Sequence, residues 1–318
     1  MFRRSLFALP LAATAVRAQG FPDRLVTLVV PYAPGGTADV LARVLGPAMA
    51  ERLAQPVVIE LRPGAGGNIG AAHVAIGARA DGYTLLLGSL SLASAPALQP
   101  LPFDPLHDLA PVAGLGAVPS LLVVSPGSPF RSVADLLAAA RAQPGTVSFG
   151  SSGPGTGSHL AGEQLAAQAG VELLHVPYRG SGAVYPDLIA RRIDFLLDAM
   201  GSAIGQVQAG AVRAIGITSE TRSLVLPEVP TLSEQGLPGF AFLIWLGLFA
   251  RAGTPEAALR RLDTVALQAL DTPPVQDRLR QAAAVPIPRE AAAFGRWYAA
   301  EAARWQGLVR EGKLARLD

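Results

Sequence analysis

The chain contains no cysteine. That absence removes disulfides, thiolate metal sites, a catalytic thiol and a lipid-anchored N-terminal Cys together. Charged residues make up only 16% and aromatic residues 6% of 318 positions. No dense Lys/Arg patch is interleaved with aromatics, so the footprint of a nucleic-acid binder is missing. HExxH is absent, and the four histidines stand apart at His73, His107, His159 and His175, so no metal site is expected. No pair of carboxylates and no Ser/His/Asp set has a spacing that implies catalysis. What is present is a chain half hydrophobic and rich in Ala, Gly and Pro. That composition suits an α/β protein with small-residue packing, long enough for one large core or two ordinary ones.

The first residues, MFRRSLFALPLAATAVRAQG, combine a basic start at Arg3 and Arg4 with an apolar stretch from Leu6 to Val16. The stretch is too short to span a bilayer, and Val16 and Ala18 suit the −3 and −1 positions of a signal-peptidase site. A signal peptide over residues 1–18, cut before Gln19, is therefore expected; the Arg pair leaves Sec and twin-arginine export both open. Three of the 26 basic residues and none of the 24 acidic ones lie in it, so a chain of net charge +2 becomes slightly acidic once cut.

Strand-like and helix-like segments then alternate. LVTLVV (25–30), PVVIEL (56–61) and TLLLGS (84–89) read as strands, the first two as parallel strands buried on both faces. Between the first two, Val40, Leu41, Val44, Leu45, Ala48, Met49 and Leu53 share one helical face. VSFGSS, LLHVPY, IDFLLD and AIGITS repeat the strand pattern, and the last third is mostly helical. This is the pattern of a doubly wound α/β fold. One internal echo bears on domains. LLVVSPGSPFRSVADLLAAAR (121–141) and GLFARAGTPEAALRRLDTVAL (247–267) both read as strand, small-residue loop and amphipathic helix, with Ser128 or Thr254 before Pro as the helix start. Read as two crossings between domains, they give one discontinuous domain, 19–123 plus 246–318, and a second, 124–245.

Three strands end in loops stripped of side chains: PYAPGGTAD (31–39), RPGAGGNIG (62–70) and GSSGPGTGSH (150–159). A strand that ends in glycines before a helix bares N–H groups at the positive end of the helix dipole, an anion site that needs no basic side chain. Thr37 is the expected N-cap of the first helix, with Asp39 in its first turn. Sharper motifs fail. Gly150 to Thr156 imitates a phosphate-binding loop without its Lys, Gly64 to Gly70 places its last Gly one residue late for a dinucleotide fingerprint, and Pro154 stands where a nucleophile elbow needs Gly. Other candidates at strand ends are His159, a donor to ligand or a packed helix cap, and Arg179, the nearest cation for a carboxylate. His175 and Tyr178 end another strand, and Asp198, which would select an amine or hydroxyl or else cap a helix, stands with Ser202 at the end of a further one; Ser89 and Ser91 complete the set.

PYAPGGTAD, RPGAGGNIGA, DGYTLL, SSGPGTGSHLAGE, HVPYRG, VPTLSEQGLPGF and GLFARAGTP, in that order along nearly the whole mature chain, resemble the Bug-type substrate-binding proteins of tripartite tricarboxylate transporters. The resemblance implies two doubly wound α/β domains joined by a two-strand hinge, of the type II periplasmic-binding-protein kind. It implies a small carboxylate in the cleft between them, held by the loop after the first strand and by the Ser/Gly loop, with ordered waters between. Carried onto this chain, the first loop is Tyr32, Ala33, Pro34, Gly35, Gly36 and Thr37 with Asp39, and the second is Ser151, Ser152, Gly153 and Thr156 with His159; Gly67 and Asn68, in the glycine loop 62–70, are candidates apart from the resemblance. Three departures point to a ligand uncommon for the family: Leu61 where Asn is frequent, the order Ala33-Pro34, and Tyr185-Pro186 where smaller residues are usual.

The expectation is a periplasmic, monomeric, non-enzymatic receptor without cofactor, handing a small organic acid to membrane permease subunits by hinge closure. Two alternatives stay open. A cleft enzyme would have to use Ser152, His159 or Asp198, and a ligand-sensing partner would dock a membrane sensor instead of a permease.

Overall fold

The structure is a computed structural model that describes residues 20–312 together with 314, 316 and 317; the expected signal peptide lies outside the described residues. The chain begins with β1 (Val26–Val30), α1 (Thr37–Leu53), β2 (Val57–Leu61), the short α2 (Asn68–Ala72), β3 (Thr84–Ser89) and α3 (Leu90–Leu98). A long strand, β4 (Leu109–Val124), leads to α4 (Val133–Ala142), β5 (Ser148–Ser151), α5 (Gly157–Ala169), β6 (Leu174–Pro177), α6 (Ser181–Ile189), β7 (Phe195–Ala199), α7 (Met200–Gln208) and β8 (Arg213–Ile217). The chain returns through β9 (Leu243–Arg251) and closes with α8 (Glu256–Leu270), α9 (Pro273–Gln281) and α10 (Ala291–Arg310).

The strands run in the order β2-β1-β3-β9-β4-β7-β5-β6, with β8 also against β4. The outer pairs β1–β2, β1–β3, β5–β6 and β5–β7 are parallel, whereas β3–β9, β4–β9, β4–β7 and β4–β8 are antiparallel. β4 belongs to both halves: residues 109–119 pair with β9, and residues 120–124 with β7 and β8. Thr218 joins the strands where the partners change. Its N–H donates to Ser120 O at 3.0 Å and its carbonyl accepts from Phe242 N–H at 2.9 Å. Its hydroxyl accepts from Ser120 N–H at 2.7 Å and donates to Phe242 O at 2.6 Å, all in a fully buried setting.

Three local expectations are corrected. β2 is an edge strand, so Val57 and Ile59 pack under α1 while Val58 is 47% exposed. Ser128 does not start α4. Ser132 does, in a capping box in which its hydroxyl accepts from Asp135 N–H and Asp135 accepts from Ser132 N–H. Likewise α8 is preceded by Pro255, and the Thr254 hydroxyl donates instead to Arg251 O at 2.8 Å.

α10 covers β9 with an aromatic layer in which Phe294 and Tyr298 meet Trp245 and Phe249 and Trp305 meets Phe242, all at most 4% exposed. The Phe294 ring lies against the backbone of Gly247, where a Cβ would collide with it. Gly247→Ala should cost about 1–3 kcal/mol through overpacking. Thr218→Val keeps the shape but strands an N–H and a C=O in the interior, which should cost about 2–4 kcal/mol. Urea unfolding curves check both: each midpoint should fall at unchanged slope, and Thr218→Ser should lose much less than Thr218→Val.

Candidate functional site

A cleft of about 740 Å³ opens at the C-terminal ends of the parallel strands, between the two halves of the sheet. Its floor carries Ile244 and Leu246 of β9, and its walls are loops and the first turns of helices. Gly36 to Ala38 at the start of α1 come from one half, and Thr156 to Ser158 (α5), Gly180 and Ser181 (α6) and Ala199 with Ser202 (α7) from the other. First-turn N–H groups lack an intrahelical acceptor, and each helix start carries about half a positive charge. Among the described residues lining the cleft, Arg179 is the cation and Asp198 the carboxylate.

In the loop after β1, Gly35 N–H donates to Asp39 Oδ2 at 2.9 Å, and the other oxygen of Asp39 meets the Arg43 guanidinium at 2.9 Å. Asp39 thus ties its own loop to α1 and is buried behind the wall. Thr37 is the first residue of α1 and not its cap; the cap position is Gly36, which offers no side chain. The Thr37 hydroxyl instead reaches across to Ser202 Oγ at 3.4 Å. Tyr32, whose hydroxyl pairs with Ser91 Oγ at 2.7 Å, lines the cleft with a phenol pushed up by burial. The second glycine loop meets the Ser/Gly loop directly. Gly66, at φ +66°, leaves room for Pro154 O, which a Cβ would approach to 2.8 Å. Ala33 similarly abuts Gly180.

The Ser/Gly loop does not bare its amides as the sequence suggests. Ser152 N–H donates to Ser158 Oγ at 2.9 Å, Gly153 N–H to Ser151 Oγ at 3.2 Å and Gly155 N–H to His159 Nδ1 at 3.2 Å. The Thr156 hydroxyl donates to Gly153 O at 2.6 Å. These bonds brace the loop from inside, and Gly157 and Ser158, in the first turn of α5, line the cleft beside it. Ser158, which the sequence reading passed over, holds the centre of this network, with Ser152 Oγ at 2.8 Å and Thr156 Oγ1 at 3.1 Å. Its one sequence signal is a hydroxyl two residues into a helix after a glycine turn.

Of the residues expected at the site, Tyr32, Ala33, Pro34, Gly36, Thr37, Gly67, Ser89, Ser152, Gly153, Thr156, Arg179 and Asp198 line one cleft. Gly35, Asp39, Asn68, Ser151 and His159 do not line it: Gly35 is exposed and the other four are buried. Asp198 accepts from Ser181 Oγ at 2.7 Å, Tyr185 Oη at 2.8 Å and Ser202 Oγ at 2.8 Å, which binds the starts of α6 and α7 together. Burial pushes its carboxyl up, and the three hydroxyls oppose that. Arg179 is exposed. Beside it, the Tyr178 hydroxyl donates to Asp187 at 2.8 Å, and burial, then that carboxylate, push the phenol up to about 12.

The polar groups on the wall do not form a nucleophile with its base. Ser151 lies 2.6 Å from His175 Nε2, but it is fully buried and also accepts Gly153 N–H. Ser152, which does reach the cleft, pairs with Ser158. No group of three or more His, Cys, Asp or Glu residues able to hold a metal occurs among the described residues.

Comparison with known proteins places this geometry. Residues 41–314 match the family model described as the tripartite tricarboxylate transporter family receptor. A Pseudomonas sp. (strain P51) protein from the tcbD–tcbE intergenic region is 42% identical over 319 residues, 98% of this chain and 95% of its own length. Among solved structures, periplasmic binding protein BugD superposes with a TM-score of 0.87 at 31% identity, covering 93% of this chain and all of BugD. Rpa4515 of Rhodopseudomonas palustris, solved with adipate, gives 0.88 at 34% identity over 93% of this chain and all of its own. MatC of the same organism, with bound malate, gives 0.85 at 35% identity over 91% of this chain and all of its own. The chain has the two-domain periplasmic-binding-protein fold and belongs to the Bug-type receptors of the tripartite tricarboxylate transporter family.

Proposed function

We propose that the protein is a periplasmic, non-enzymatic receptor that captures a small organic acid in this cleft and delivers it to membrane permease subunits. The observation that carries the reading is the convergence of helix starts from both halves on one cleft in which, among the described residues, Arg179 is the one guanidinium. A carboxylate placed there would accept from first-turn N–H groups of α1 and α5 at once, and so would be bound best with the halves together. Arg179 would add a charge-assisted bond at the exposed side. The two bodies that close are residues 19–123 with 246–318, and residues 124–245, acting as a monomer, and the bend falls on the paired crossings of β4 and β9. The adipate and malate held by the two Rhodopseudomonas palustris proteins agree with an acid as cargo. Ile244, Leu246 and the prolines of the wall suit an apolar body between the polar ends of such a molecule.

Residues 19–318, unfolded and refolded to remove carried-over ligand, should be melted against citrate, tricarballylate, succinate, malate, adipate, glutamate, aspartate, benzoate, terephthalate and nicotinate, with ATP and NAD as controls. A bound acid at about 100 times its dissociation constant adds roughly 2.7 kcal/mol, which raises the midpoint by several degrees in a chain of this size. Gly36→Val, which puts a branched side chain at the start of α1, should abolish the shift. Arg179→Ala should weaken binding about tenfold, with a reduced salt dependence. Recovery of the acid unchanged supports a receptor; its disappearance would mean an enzyme, and a shift with ATP or NAD alone would overturn the carboxylate reading.

A further inference from the structure

Past α10 the sequence reads GKLARLD (312–318), with two leucines three residues apart. Leu314 and Leu317 are both half-buried, while Arg316 beside them is exposed. Both leucines pack on the large apolar cluster to which α3, α5 and α10 contribute. α10 itself is held in the first half, against α3 and β4, yet the leucines that follow it reach the second. Leu314 lines a groove of about 340 Å³ with Glu163, Ala166 and Ala167 of α5 and with Gly170 at the end of that helix. Leu317 lies at the other end of α5, where its Cδ1 is 3.3 Å from the point a Cβ on Gly155 would occupy. Its N–H donates to the carbonyl of Leu98, the last residue of α3, at 2.9 Å. The next residue, Gln99, lines the cleft, as do Pro154 and Thr156 on either side of Gly155. Leu317 therefore touches both halves at once, α3 through its backbone and the Ser/Gly loop through its side chain.

We propose that Leu317 is a positioning residue for ligand binding, which together with Leu314 straps the Ser/Gly loop and α5 to the first half across the outer side of the cleft. The effect on ligand rests on the carboxylate reading above; the effect on the halves needs only that they move as two bodies. Where the halves meet beside the cleft, Gly66 faces Pro154 O and Ala33 faces Gly180, groups too small to bury much apolar area. The two leucines supply that area, and it returns to water when the seam opens. Gly155, at φ +73° and without a Cβ, lets the Leu317 methyl come close to the backbone of the loop. As the Ser/Gly loop moves away from the end of α3, Leu317 cannot keep both of its contacts, so the open state alone bears the loss. A strap of this kind shifts the population toward the closed form and slows escape of whatever the cleft holds.

The chain has no cysteine of its own, so spin labels on Val58→Cys and Leu174→Cys read the distance between the halves. Both positions are exposed, and they lie on β2 and β6, the two ends of the sheet. In ligand-free protein, Leu317→Asp should raise the longer-distance population at least about threefold, because a charge replaces an apolar side chain that the closed form buries. Leu317→Ala should move it the same way by less, which keeps the test decisive if the Asp variant fails to fold, and Leu317→Met should restore the wild-type distribution. For the acid that gives the largest melting shift, Leu317→Ala should raise the dissociation rate about threefold or more and leave the association rate nearly unchanged, a split that a general loss of stability does not produce. Coincident distance distributions in wild type, Leu317→Asp and Leu317→Ala would overturn the proposal, as would a Met variant that opens as far as the Ala variant. A panel in which no acid binds sinks the carboxylate reading alone, because the label distances decide the role of Leu317 without ligand.

Discussion

Everything in this molecule hangs on the sharing of one strand. β4 pairs with β9 along its first two-thirds and with β7 and β8 along its end, so both halves of the sheet are hydrogen-bonded to the same backbone. Such a junction has to satisfy donors and acceptors exactly where the ladder changes partner, and buried backbone groups left unpaired there would be costly. Thr218 resolves it with four bonds, two through its backbone and two through its hydroxyl. The aromatic layer of α10 then packs on β9, the other strand that pairs with β4.

The cleft sits beside that junction, and the contacts across it come mostly from small groups. Gly66 against Pro154, Ala33 against Gly180 and Thr37 against Ser202 and Gly201 bring backbone to backbone with little side chain between. Arg278 on α9 adds a longer reach, its guanidinium donating to Gly201 O at 3.0 Å at the start of α7. Glycine at these meeting points lets helix starts approach one another closely, which concentrates their dipoles on a small volume. An exposed acid in water gains little from any one of those dipoles; inside a cleft that sheds water the same groups act in a lower dielectric.

Much of this was legible in the sequence. The strand and helix order followed from apolar runs broken by Gly and Pro, and the three glycine loops stood where the sheet topology collects them. Thr37, Ser128 and Thr254 were assigned to caps on local pattern, yet Gly36, Ser132 and Pro255 occupy those positions: the Thr37 hydroxyl goes to distant Ser202, whereas Ser128 accepts from Phe130 N–H and Thr254 donates to Arg251 O close by. β2 looked like a doubly buried strand because its residues are β-branched, and only its place at the end of the sheet exposes Val58. Ser158 and the contact between Ser151 and His175 could not be found from spacing: that contact links positions 24 residues apart, brought together by the parallel pairing of β5 and β6.

The internal bracing of the Ser/Gly loop changes how variation in such a chain should be read. Its shape depends on Ser151, Ser158 and His159, which lie under or at the edge of the surface, while the cleft beside it is lined by the first turn of α5 at Gly157 and Ser158. An alanine scan leaves every peptide N–H in place, so it would register the hidden props and pass silently over the surface they support.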